Sequence, residues 1–126
     1  MPGPHSPVSP EASGAVAAKA AIRAADQLKI SAETLAAIIG VSEFAISRIR
    51  QGSSGLEPGT KPFELAVLFV QFFRSLDAIV GGDDEVAASW LVSPNVALDA
   101  RPIEKLQTVA GLVDVIGYLD ARRASC

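Results

Sequence analysis

Apolar positions recur at helical spacing along most of this chain, and residues that begin or end helices separate the runs. The alanine-rich stretch EASGAVAAKAAIRAADQL predicts a first helix over residues 12–28, because alanine loses no side-chain entropy in a helix. Further along, PFELAVLFVQFFRSLDAIV predicts a long helix that opens at Pro62 and ends at Gly81. Its apolar residues lie almost all the way round, so it needs cover on several sides, and a second copy of the chain is one candidate.

Two short helices separated by a glycine turn are predicted between these longer ones. Ser31 is placed to cap the first short helix, and Gly40 can end it by adopting a positive φ. Ser42 is placed to cap the second. The buried positions expected on the pair are Leu35, Ile38, Ile39, Ile46 and Ile49. Helix, glycine turn and helix in this order form the helix-turn-helix pattern.

The C-terminal third is predicted to contain three short helices and no strand. Asp83 can cap the first of them, Pro94 and Asn95 suit a turn, and Pro102 opens the next helix. The buried face of the last helix is expected to hold Leu112, Val115, Ile116 and Leu119. The predicted fold class is all-α, with a helix-turn-helix N-terminal domain followed by a small helical C-terminal domain.

Length and composition fit one domain, or two small helical domains that share a core. Of the 126 residues, 49% are hydrophobic and 20% charged, which indicates a folded chain. The proline-rich start predicts a disordered tail over residues 1–11, with domains at 12–60 and 61–126. The N-terminal segment has no signal-peptide pattern, and the longest apolar block of the chain falls short of the ~20 residues that cross a bilayer. We expect a cytoplasmic protein without membrane contact.

Charge is distributed unevenly between the two halves. From Lys19 to Arg50 there are five basic and three acidic residues, whereas from Gln51 onward there are six basic and ten acidic ones. The positive part therefore coincides with the helix-turn-helix, which is the sign that binding to DNA phosphates requires. The overall formal charge of −3 makes binding by a single copy weak, so a dimer that spans two half-sites is expected.

The exposed side of the third helix supplies the candidate DNA contacts. Arg48 can bind guanine, Phe44 can touch a thymine methyl group, and Glu43 can accept from cytosine but repels phosphate. The complete predicted set is Ser42, Glu43, Phe44, Ser47, Arg48 and Arg50, with Ser42 and Arg50 near phosphates. Glu43 and Phe44 depart from the polar pattern of DNA readers. A helix that serves only as scaffold, or a protein contact made by Phe44, remain alternatives.

No set of residues in the sequence converges on catalysis, a metal or a cofactor. The acids at positions 83–85 follow two glycines and suit a helix N-terminus, where negative charge is favoured. The single histidine, His5, lies in the predicted tail, and the single cysteine, Cys126, has no partner for a disulfide. We expect a binding protein, neither an enzyme nor a cofactor carrier.

Several short motifs in the C-terminal part follow one another in an order typical of a known module. They are Trp90-Leu91, Pro94-Asn95, Leu98, Arg101-Pro102, Leu106, Gly111, Val115 and Leu119. With the preceding helix-turn-helix, the chain resembles the Xre/MbcA/ParS family of antitoxins over residues 15–126. The resemblance implies an antitoxin of a bacterial type II pair with a C-terminal toxin-binding domain. Its implied partners are operator DNA and a cognate toxin, often a RES-domain toxin that consumes NAD, in a homodimer or a larger hetero-oligomer.

Aromatic and basic residues of this module are the candidate toxin contacts. The predicted set is Trp90, Asn95, Arg101, Tyr118, Arg122, Arg123, Ser125 and Cys126. A tryptophan such as Trp90 is more often a core residue than an interface anchor, and two arginines after the last helix also suit its negative dipole end. Arg122 to Cys126 are hypothesised to help occlude a pocket of the toxin. A transcriptional regulator without a toxin, and an adaptor that does not bind DNA, remain open as alternatives.

Overall fold

The computed structural model describes residues 10–124, which form an all-α fold. Its helices are α1 (Pro10–Gln27), α2 (Ala32–Ile39), α3 (Glu43–Arg50), α4 (Lys61–Val80), α5 (Asp84–Val92), α6 (Pro102–Lys105) and α7 (Val109–Ala124). Over these residues the only strand-like pairing is an isolated antiparallel bridge between Asn95 and Ala100. The predicted fold class is confirmed.

The predicted helix ends are set by local capping interactions. The Ser31 hydroxyl accepts a hydrogen bond from the Thr34 backbone amide at 3.1 Å, and Ser42 does the same for Ala45 at 3.1 Å. Gly40 has a φ of 77° at the end of α2, in the left-handed region that favours glycine. The tight connection between α2 and α3 thus follows directly from the predicted caps.

The first helix begins earlier than the sequence pattern indicated. It starts at Pro10, so the last two residues of the predicted tail belong to α1, because proline suits the first helical turn and needs no amide partner there. The rest of that tail, 1–9, lies outside the described residues. At the other end, the third of the predicted short helices, α7, is 16 residues long.

Helix α4 lies at the centre of the fold. It packs against α1 and α2 on the N-terminal side and against α5 and α7 on the C-terminal side. Phe69 and Phe72 are fully buried on it, with ring centroids 5.9 Å apart. The predicted inward residues of α2, α3 and α7 are buried in the same core. The helix-turn-helix and the C-terminal helices are therefore built on one shared helix.

Candidate DNA and protein interfaces

The exposed side of α3 carries the predicted DNA contacts. Ile46 and Ile49 are buried against the core and hold the helix in place. The residues that point outward, here called the recognition face, are Glu43, Phe44, Ser47 and Arg48. Phe44 leaves 71% of its surface exposed, which is unusual for a phenylalanine that serves only the fold. The helix thus presents one aromatic and one basic side chain to a partner.

Phe44 and Arg48 act as a pair on this face. The Arg48 guanidinium lies over the Phe44 ring, 5.8 Å from its centroid, as residues four apart in a helix can. Such an exposed cation–π contact is worth roughly 0.5–1 kcal/mol. Phe44 therefore restricts Arg48 to one side of the helix, and a role for Phe44 in orienting Arg48 adds to the direct contacts considered from the sequence.

Arg50, predicted to lie near phosphates, has a partner inside the protein. Its two terminal nitrogens donate to the two carboxylate oxygens of Asp26 on α1, both at 3.0 Å. The hydrogen bonds from Arg50 lower the pKa of Asp26, and the carboxylate raises the pKa of Arg50 in return. Both side chains are about half exposed, so the pair contributes at most about 1 kcal/mol. Its geometric effect is to fix the end of α3 against α1.

A rigid turn links α5 and α6. Asn95 and Ala100 exchange backbone hydrogen bonds at 3.1 and 3.4 Å, and the Asn95 side chain accepts from the Leu98 amide at 3.1 Å. Asp99 has a φ of 57°, which asparagine and aspartate tolerate better than most residues. At the tip of this turn Val96 is 98% exposed. A fixed backbone thus presents an apolar side chain almost entirely to solvent.

Three of the predicted toxin contacts meet beside this turn. The Tyr118 hydroxyl accepts a hydrogen bond from Arg122 at 3.0 Å, and the Arg122 guanidinium lies 5.8 Å from the Tyr118 ring centroid. Hydrogen bonds from Arg122 and, second, from the Asn95 side chain lower the pKa of the Tyr118 hydroxyl. We call Asn95, Val96, Tyr118 and Arg122 the turn cluster. Sequence reasoning missed Val96, because the Pro94-Asn95 pattern predicts a turn but does not indicate that the next side chain is exposed at its tip.

The other predicted toxin contacts are not part of the turn cluster. Arg101 forms an ion pair at 2.8 Å with Glu104 and lowers the pKa of that carboxyl group. Trp90 is half-buried and packs against the core. Arg123 donates to the hydroxyl of Ser75 on α4 at 3.3 Å. Ser125 and Cys126 lie outside the described residues.

Ser75 explains why Arg123 points toward α4. It is buried at 2% exposure and donates a hydrogen bond of 2.8 Å to Asp120 on α7. Arg123 lies 3.9 Å from the same carboxylate. A buried hydroxyl without a partner would cost about 1–3 kcal/mol, so this small network stabilises the contact between α4 and α7. Arg123 thus has a structural function whether or not it contacts a partner.

Neither a metal site nor a membrane-spanning helix is found in the described part of the chain. Between residues 10 and 124, no group of histidine, cysteine, aspartate and glutamate side chains is arranged to hold a metal ion. No helix in that part is long and apolar enough to span a membrane.

The fold, the recognition face and the turn cluster define a helix-turn-helix protein with a helical C-terminal extension. Residues 7–71 match the family model of the antitoxin Xre-like helix-turn-helix domain, and residues 75–124 match that of the antitoxin Xre/MbcA/ParS C-terminal toxin-binding domain. The first match covers more than half of the chain, and the chain belongs to the Xre/MbcA/ParS antitoxin family. No curated protein sequence matched it.

Proposed function

We propose that this protein is the antitoxin of a bacterial type II pair, which neutralises a cognate toxin in the cytoplasm and represses its own operon. The observation that carries the proposal is the pair of consecutive family matches, which join a helix-turn-helix to a toxin-binding domain in one chain. We further propose a RES-domain toxin that consumes NAD, on the resemblance described above. The protein acts by binding and is not an enzyme.

The turn cluster is our proposed centre of the toxin interface. It combines an apolar side chain on a rigid turn with a tyrosine and an arginine, and protein interfaces place such anchors at their centre inside a polar rim. The backbone of the turn is already ordered by its own hydrogen bonds, so little conformational entropy is lost on binding.

Co-expression with the product of the adjacent gene tests the proposal. We expect the neighbour to stop growth when expressed alone, and expect survival and a stable co-purified complex when this chain is present. A fall in cellular NAD in the unprotected cells would identify the RES-type activity. If the neighbour is harmless and nothing co-purifies, the antitoxin proposal fails, and a simple transcriptional regulator becomes the better description.

Val96→Asp is expected to weaken the toxin complex at least about thirtyfold, because it would bury an unpaired carboxylate at a cost of about 2 kcal/mol or more. The measurement is the Kd of the purified complex by titration calorimetry. Val109→Asp makes the same change at another exposed valine, on α7. Folding should be retained in both variants. Equal affinities for the two variants would remove Val96 from the interface.

The C-terminal residues 122–126 are our proposed plug for the toxin's pocket, and their deletion needs care. Arg122 and Arg123 make contacts with Tyr118 and Ser75 inside the fold, so removing all five residues also disturbs α7. Deleting Ser125 and Cys126 alone leaves these contacts in place. If both truncated forms bind and neutralise the toxin as the full chain does, the plug is excluded.

Arg48→Ala is expected to weaken binding to the DNA upstream of the gene by about 1–3 kcal/mol and to reduce discrimination against mixed-sequence DNA. The loss follows from removing the only cation of the recognition face. Fluorescence anisotropy with the upstream fragment measures both quantities. Lys61→Ala on α4 removes one positive charge away from α3 and from the groove between α1 and α4, and should leave discrimination intact. Unchanged discrimination in Arg48→Ala would show that this face does not recognise bases.

A dimer is our proposed DNA-binding form. The structure has an open groove of about 570 Å³ between α1 and α4, beside Val16 and Val67, which are 64% and 46% exposed. Apolar surface of this kind is a candidate for cover by a second copy. Light scattering of the purified chain across a concentration series gives the oligomeric state.

A further inference from the structure

A second basic surface lies between α1 and the end of α3, outside the residues so far assigned to DNA binding. It is an open groove of about 380 Å³, lined on the α1 side by Lys19, Arg23 and Asp26, and on the α3 side by Arg50 and Gln51. Three cations and one carboxylate give it a local charge of plus two. In a chain with a formal charge of −3, such a concentration of positive charge is a distinct feature.

The charges within this groove are not equivalent. The Asp26 carboxylate forms a bidentate ion pair with Arg50, so these two charges neutralise each other. Lys19 and Arg23 are exposed, and across residues 10–124 neither side chain has an ion-pair partner within 4 Å. They are four residues apart on α1 and so lie on one face of that helix. The positive charge available to a ligand therefore belongs to Lys19 and Arg23.

The groove borders the recognition face on one side. At about 100° per residue, Arg50 is displaced from Glu43 by about 20° and from Ser47 by about 60° around the α3 axis. Arg48 is about 160° from Arg50, at the opposite edge of the exposed surface. Because Arg50 is bound to α1 through Asp26, Lys19 and Arg23 lie beside the C-terminal end of α3.

A helix that enters the major groove has a sugar-phosphate backbone on each side of it. We infer that Lys19 and Arg23 form a phosphate-binding patch that contacts the DNA backbone beside α3. In this arrangement the Arg50–Asp26 pair is a positioning element that holds the patch at a fixed place relative to the recognition face. The inference rests on the proposed DNA-binding function and assigns to α1 the backbone contact that the sequence suggested for Arg50.

The patch also compensates for an unfavourable feature of the recognition face. Glu43 at the start of α3 repels phosphate, and it lies about 10 Å along the helix axis from Arg50. The two cations on α1 add attraction beside the other end of α3, so they offset that repulsion in the total free energy of DNA binding. They attract phosphate whatever the base sequence, so the patch should act on all duplex DNA alike.

Salt dependence of binding tests the patch without knowledge of the operator. The probe is a mixed-sequence 30-base-pair duplex, titrated by anisotropy between 50 and 200 mM salt with the wild type and the double variant Lys19→Ala/Arg23→Ala. Each lost phosphate contact lowers the slope of log K against log salt by about 0.9, so we expect a fall of about 2. Over that range the wild type should lose about tenfold more affinity than the variant.

The control is Lys61→Ala/Lys105→Ala, which removes two cations on α4 and α6 that line neither this groove nor the one between α1 and α4. An unchanged slope in this control and a reduced slope in the α1 variant support the patch. Equal reductions in both variants indicate a diffuse charge effect and overturn it, as does an unchanged slope in the α1 variant. A wild type that binds neither this duplex nor the upstream DNA overturns the DNA-binding function together with the patch. Normal wild-type binding with an unchanged α1 variant overturns the patch alone.

Discussion

Gly111→Ala is expected to destabilise the protein by about 1–3 kcal/mol and to impair toxin binding, because the added methyl group has no room. Gly111 is buried in the first turn of α7, under α6. A Cβ there would run into the Lys105 carbonyl oxygen and would lie 2.8 Å from the Thr108 hydroxyl. Backbone atoms cannot move aside cheaply, so α6 and α7 would have to separate. Urea unfolding and the Kd of the toxin complex measure the two effects.

Gly117→Ala is the matched control in the same helix. Apart from its chain neighbours and the adjacent backbone of its own helix, no atom lies within 4 Å of a Cβ at that position, and the residue is exposed. Alanine favours a helix interior over glycine by about 0.5–1 kcal/mol, so this variant should be more stable than the wild type. The same glycine-to-alanine change is thus expected to lower stability at position 111 and to raise it at position 117, six residues away. Similar unfolding midpoints for the two variants would contradict the close approach of α6 and α7.

The parts of the fold that were predictable from the sequence depend on local interactions. Ser31 and Ser42 cap their helices through amides three residues away, and Gly40 ends α2 within its own backbone. The buried faces of α2, α3 and α7 follow from helical spacing alone. In each case the interaction that determines the structure joins residues within one helical turn, so the local sequence was enough to predict it.

The features that were not predictable join residues distant along the chain. Asp26 and Arg50 are 24 positions apart, and Ser75 and Asp120 are 45 apart. Nothing in either local pattern indicates the partner, because the pairing depends on how α1 meets α3 and how α4 meets α7. The same reason explains why Arg50 looked like an available phosphate contact until the fold placed Asp26 beside it.

The candidate toxin surface was predicted from the sequence only in part. Asn95, Tyr118 and Arg122 came from a resemblance to a family, and in the structure Tyr118 hydrogen-bonds Arg122 while Asn95 lowers the pKa of the Tyr118 hydroxyl. Their roles toward a toxin stay predictions. Val96 required the structure, because its exposure depends on the turn that Asn95 and Ala100 close. Residue type alone would have assigned a valine to the core.

Phe69→Ala is expected to lower the free energy of unfolding by about 3–5 kcal/mol, the range for a fully buried phenylalanine. The loss should affect the whole chain, because α4 packs on the helix-turn-helix and on the C-terminal helices alike. We therefore expect one cooperative transition in both proteins, shifted to lower urea in the variant. The fluorescence of Trp90, the only tryptophan, reports the C-terminal half, and far-ultraviolet circular dichroism reports all helices.

Ile79→Ala is the matched control, because Ile79 is on the same helix but 36% exposed, and its truncation should lower the free energy of unfolding by much less than Phe69→Ala. Coincident fluorescence and dichroism transitions in all three proteins would show that the two halves unfold together. Separate transitions, with the Trp90 signal unaffected by Phe69→Ala, would instead show two independent domains. Under the cooperative outcome, a ligand on either surface stabilises the fold that presents the other surface. A toxin bound at the turn cluster would then protect the recognition face of α3 from unfolding.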